Sequence, residues 1–146
     1  MLLALSSQHK KLVGPKIGAT GHLGEDTVEH TAYHLPIIIE DFLRKAIPPA
    51  RTNAPDPHLV ADVLRRSISS FDAAIAKDVL ELFPGGLDAI SRYSNEHIGN
   101  VINDGGENWK KTRLCMYGTT ALVSLVCPEH DNLWVANLGD CQGGTF

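Results

Sequence analysis

A few small constellations in this chain carry side chains of the types that do chemistry. His30 and His34 are four residues apart, so on a helix both imidazoles stand on one face and can share a zinc ion, as in His-Glu-x-x-His hydrolases. The general base of that arrangement is missing, because Thr31 occupies its position and Glu29 faces elsewhere. The pair therefore reads first as histidines on the polar side of an amphipathic helix. Cys127 and His130 place a thiol near an imidazole, but they fall in a turn and no third group orients the ring. Asp140 follows Gly139 at the end of a β-rich run, where a carboxylate leaves a sharp turn and offers the hard oxygen that Mg²⁺ or Mn²⁺ prefers.

These residues need elements to hold them. The glycine-rich stretch from Lys11 to Gly24 reads as loop. A helix follows, with Val28, Ala32 and Leu35 on one stripe and Ile38 or Ile39, Phe42 and Ala46 continuing it, and Pro36 predicts a kink or break near Leu35. Pro48-Pro49 ends it. Asp56-Pro57 is an N-cap followed by proline at the first helical position, and it opens the strongest helix of the chain. Val60, Leu64, Ile68, Phe71, Ile75, Val79 and Leu82 step by fours and threes along one face until Pro84-Gly85-Gly86. A third helix is expected from about Leu87 to Ile102, stopped by Asn103-Asp104-Gly105-Gly106. Residues 119–126 and 133–138 then form a β-hairpin. Both runs carry apolar groups on each face, which predicts a sheet that needs cover on both sides, by helices on one side and on the other by a further layer that these residues do not obviously supply. Helices followed by a hairpin give an α+β fold.

Composition bounds what the elements can serve. With 146 residues, 43% hydrophobic and 21% charged, and a net charge of -4, the chain can bury a core and does not read as disordered. Its mild acidity argues against a nucleic-acid partner, which needs lysine and arginine gathered on one surface; Arg65-Arg66 and Lys110-Lys111 are isolated pairs. Cys115, Cys127 and Cys141 form neither a CxxC nor an even set, so no disulfide framework is indicated and reduced thiols in an intracellular setting fit best. The apolar start Met1–Leu5 is too short for a secretory signal, and no run reaches the ~20 apolar residues of a membrane span. Lys10, Lys11 and Lys16 with no nearby acid leave a cytoplasmic or a mitochondrial location open.

The hairpin carries a specific pattern. Tyr117-Gly-Thr-Thr-Ala-Leu-Val-Ser-Leu-Val126 followed by Leu133-Trp-Val-Ala-Asn-Leu-Gly-Asp-Cys-Gln142 resembles the paired strands of the metal-dependent protein phosphatases of the PPM type (type 2C). That family has Ser-Gly-Ser/Thr-Thr-Ala, then apolar residues, then Val-Ala-Asn-x-Gly-Asp-Ser-Arg; here Cys141-Gln142 stands for Ser-Arg. Thr20-Gly21-His22-Leu-Gly24 with the following helix is similar to the family's Asp-Gly-His-Gly-Gly segment, and the helical stretch Phe83 to Cys115 is similar to that of pyruvate dehydrogenase phosphatase-like members. The resemblance covers Gly21 to Asp140. It implies a partial α-β-β-α sandwich over residues 19–142, with non-matching segments at 1–18 and 143–146.

The resemblance also implies chemistry. Family members hydrolyse phosphoserine and phosphothreonine in protein substrates with two Mg²⁺ or Mn²⁺ ions that hold a nucleophilic water. Carried over residue by residue, Gly21 offers its carbonyl to one metal, His22 is the general acid, and Asp140 helps hold a further metal. The departures are large. The bridging aspartate is Thr20 here, and residues 1–19 contain neither arginine nor acid, where the family has a phosphate-binding Arg and a metal-binding Glu. Further Asp ligands of the family belong after Phe146. The expectation is a truncated phosphatase domain that is inactive as this chain, arising genuinely or from a misplaced gene start and end. The alternative is a non-catalytic pseudophosphatase fragment that binds a protein partner through the helical face of residues 57–83. Loss of the opposite layer, at ~25 cal/mol per Å² of apolar surface, predicts a chain marginally stable alone.

Overall fold

The computed structural model describes residues 13–21, 25–47, 55–127 and 132–140. In chain order these form β1 (Val13–Gly21), α1 (Glu25–Ala46), α2 (Pro57–Leu80), α3 (Gly86–Ile90), α4 (Asn95–Asn103), α5 (Glu107–Met116), β2 (Thr119–Val126) and β3 (Leu133–Leu138). The class is α+β: helices pack against an antiparallel sheet ordered β1-β2-β3.

The hairpin stands as its residues predict, with Val123 opposite Ala136 and Leu125 opposite Trp134. The segment expected as loop is corrected, since Val13–Gly21 is a strand. Its ladder to β2 sets Ile17 opposite Val123, Ala19 opposite Ala121 and Gly21 opposite Thr119. Glycine has little intrinsic strand preference, so this element exists through its partner, a hundred or so residues away in sequence, which local pattern does not reveal. The register shifts between Val13 and Lys16, around Pro15, which has no N–H to give to the ladder. β1 runs across residue 18, the expected edge of the family-like region.

α1 continues unbroken through Pro36, so the expected break near Leu35 does not occur. The proline leaves the Ala32 carbonyl without its usual donor, but Ala32 is exposed, where water can serve, and Leu35 and Ile39 on either side are fully buried and hold both halves to the core. The inward row is Thr27, Thr31, Leu35, Ile39 and Leu43, one position round from the expected stripe, so Ala32 faces out while Val28, Ile38, Phe42 and Ala46 flank the core half-buried. The buried row contains two threonines whose hydroxyls find no hydrogen-bond partner among the described residues, and their polar type is why a reading by hydrophobicity alone set the helix rotation slightly off.

α2 follows its sequence reading closely. Asp56 caps it by accepting the His58 N–H at 2.9 Å, and Val60, Leu64 and Phe71 are buried with Val63 and Ser67 beside them. Ser67 donates back to the Val63 carbonyl, which satisfies its buried hydroxyl inside the helix. The expected third helix divides into α3 and α4, separated at Ser91–Ser94 by a turn in which Ser94 accepts the His97 N–H and caps α4. α4 stops at Asn103 as expected, and α5 follows it. An ion pair of 2.8 Å from Arg113 to Asp26 ties α5 to the start of α1.

The core gathers Leu35, Ile39 and Leu43 of α1, Val60, Val63, Leu64 and Phe71 of α2, and Val123, Leu125, Cys127 and Trp134 of the hairpin. Helices cover one face of the sheet, and among the described residues no further layer covers the other. Ala121, Val123, Leu125 and Trp134 meet the helices, whereas on the opposite face Leu122, Ser124 and Val126 are half-buried and Leu133 and Val135 are 47% and 55% exposed.

Candidate functional site

The sheet register decides where the family-like motifs fall. Thr20 pairs with Thr120 and Gly21 with Thr119, so β1 ends beside the beginning of β2. Ala121 pairs with Leu138, so β3 ends at that same edge and the Gly139-Asp140 bend leaves the sheet there. Gly21 and Asp140, far apart in sequence, thus emerge at one end of the sheet. His22, the expected general acid, lies outside the described residues, as do Cys141, Gln142 and His130.

Gly139 has φ +79°, in the left-handed region, and a Cβ built on it would lie 2.6 Å from Thr120 Cγ2. Glycine is therefore needed for conformation and for space. Asp140 beyond it is exposed. A strand-end carbonyl and one exposed carboxylate can help a divalent ion, but a pair of dications held close together needs several anionic oxygens. Among the described residues no group of three or more His, Cys, Asp or Glu side chains is placed to hold a metal. With threonine at position 20, the donor set on view does not fit a two-ion centre.

The other candidate pairs resolve differently. Cys127 is fully buried in the core, and its backbone N–H donates to the Asn132 carbonyl at 3.0 Å. The exposed thiol is that of Cys115. His30 and His34 do converge, with ring centroids 4.3 Å apart. His30 also stacks on Phe71 of α2 at 5.6 Å, and Tyr33 meets the His34 ring edge-on at 4.9 Å. Burial on α2 pushes the His30 pKa below its ordinary value, and repulsion from His34 adds to this, while Asp78 opposes it. Thr31, at the position of a hydrolase's base, points into the core with 2% exposure, so the pair has no proton acceptor of that kind beside it.

A groove of about 520 Å³ separates α2 from β3, lined among others by Leu64, Arg65 and Ile68 on one side and Trp134, Ala136 and Leu138 on the other. No sequence signal marks it, because it arises where a helix crosses the free edge of the sheet. The apolar stripe of α2 itself faces inward, so the outer surface of residues 57–80 is mostly polar. Among the described residues no helix is long and apolar enough to cross a membrane. The chain matches no family model, no curated protein and no solved structure.

Proposed function

We propose that this chain is a scaffold of the PPM phosphatase type in which the metal-dependent centre is not assembled. The observation that supports the reading is the register: the Thr20-Gly21 end of β1 and the Gly139-Asp140 bend after β3 leave the same end of the sheet, on either side of β2. Phosphoserine and phosphothreonine proteins are the substrate class of such a site, Mg²⁺ or Mn²⁺ its ions, and His22 its proton donor to the leaving alcohol. In this chain Thr20 offers a neutral hydroxyl where a bridging carboxylate is needed, so Gly21 and Asp140 bind divalent ions weakly and catalysis does not follow. The finer fold of the proposal is part of an α-β-β-α sandwich, with the face of Leu133 and Val135 as the side on which a second sheet packs.

The test is phosphate release from a phosphothreonine peptide by the full chain in Mn²⁺. The expected result is no turnover above a metal blank. Turnover that persists in His22→Ala and Asp140→Asn variants would mean chemistry at another site, and turnover abolished by either would show an assembled centre without the carboxylate at position 20. Either outcome removes the proposal.

A second reading, a non-catalytic interaction module, is favoured by the open groove between α2 and β3 rather than by the outward face of α2. Mn²⁺ calorimetry tests both readings against an active enzyme: stoichiometric Mn²⁺ binding by the folded chain would belong to an enzyme and would remove either reading.

A further inference from the structure

We infer that His30 and His34 form a two-imidazole chelate on α1 for a divalent ion of the zinc, nickel and copper class. The pair lies one helical turn apart, and the fold brings the rings together, with centroids 4.3 Å apart. Two imidazoles on one ion at 2.0–2.1 Å hold their ring centres on the order of 4.5–5 Å apart. The centroid separation of the two rings is therefore within a few tenths of an ångström of the one a shared ion requires.

Their surroundings favour an ion rather than a mere stack. His30 is held from beneath by Phe71, which restricts its rotation, while His34 is exposed and free to turn its lone pair toward the same point. Holding one ligand in place lowers the ordering cost of binding. Asp78 of α2 lies close enough to act electrostatically on His30, and its negative charge favours a dication at the pair. Tyr33, against His34, adds an aromatic wall. Since the protein supplies two nitrogens and among the described residues no third His, Cys, Asp or Glu completes a set, water fills the remaining positions. Imidazole selects zinc, nickel or copper over Mg²⁺ and Mn²⁺, which prefer oxygen.

The experiment is titration of the full reduced chain with Zn²⁺ and, separately, Mg²⁺, followed by calorimetry and by the ring resonances of the histidines. One Zn²⁺ is expected to perturb His30 and His34 together, with no response to Mg²⁺. His34→Ala, at an exposed helical position, is expected to weaken this Zn²⁺ binding by about tenfold to a hundredfold, because the second ligand binds within the same molecule. His30→Gln is expected to do the same, and His58→Ala to leave the affinity as it is. Zinc held through His9, His22, His130 or the cysteines would survive both substitutions at the pair, and that result, or a response to Mg²⁺ equal to that to Zn²⁺, overturns the inference.

Discussion

Replacing Gly139 with alanine tests the packing that sets the exit of β3. The residue has φ +79°, where a Cβ costs an ordinary residue about 1–2 kcal/mol. The new methyl would also lie 2.6 Å from Thr120 Cγ2 and 3.1 Å from Thr120 Cβ, and relieving such overpacking costs about 1–3 kcal/mol. Together Gly139→Ala is expected to destabilise the fold by about 2–5 kcal/mol. Thr120→Ser keeps the hydroxyl but removes the nearer of those two carbons, and by itself costs about 0.8 kcal/mol for the lost methyl. Combined, the two changes should cost less than their sum by about 1–3 kcal/mol, leaving chiefly the backbone penalty. Urea unfolding followed through the fluorescence of buried Trp134 measures all four corners of this cycle, with the single alanine lowering the midpoint by roughly 1–2 M. A Gly139→Ala protein within about 0.5 kcal/mol of the parent, or two costs that simply add, would refute the account of the bend.

Other expectations follow from the same structure. Ile39→Ala, at a fully buried position of α1, should cost about 2–5 kcal/mol, whereas Ile37→Ala, at 54% exposure on the same helix, should stay within about 0.5 kcal/mol; equal costs in urea melts would mean that α1 is rotated from the orientation described. Asp56→Ala removes the acceptor for the His58 N–H and should lower stability by about 1 kcal/mol, with Asp56→Asn close to the parent. In metal-free buffer, His30 should make stability fall as pH is lowered. Its folded pKa is depressed by burial and by His34, against the pull of Asp78, so below about 6.5 the unfolded chain takes up the proton first, and the loss is complete once pH passes the depressed folded value. His30→Gln should flatten that part of the profile of urea midpoint against pH, and an unchanged slope would show that the ring is not buried on Phe71. Leu133→Lys with Val135→Lys, both on the open face of the sheet, should reduce self-association in light scattering without lowering the urea midpoint. A large fall in the midpoint would place that face in a packed core.

Much of the architecture could be read along the chain, and the physical reason is locality. The N-cap at Asp56-Pro57, the apolar row from Val60 to Val79 and the hairpin runs 119–126 and 133–138 are dictated by capping, by helical period and by strand propensity, each acting over a few residues. The composition of the Gly139-Asp140 bend likewise announces a turn. Other features needed the fold. β1 exists because β2 offers it a ladder, and its glycines conceal this locally; α1 passes through Pro36 because flanking core contacts outweigh one missing hydrogen bond; and the helix rotation that buries Thr27 and Thr31 is chosen by the neighbours it packs on. The same holds for the sites. The family resemblance pointed to Gly21, His22 and Asp140 and helical spacing to His30 and His34, but only strand register sets Gly21 and Asp140 at one end of the sheet, and only α2 beneath α1 brings Phe71 and Asp78 to the histidine pair. Chemical potential resides in side-chain type and short spacing, whereas proximity between distant residues is a product of packing, which no local stretch of chain contains.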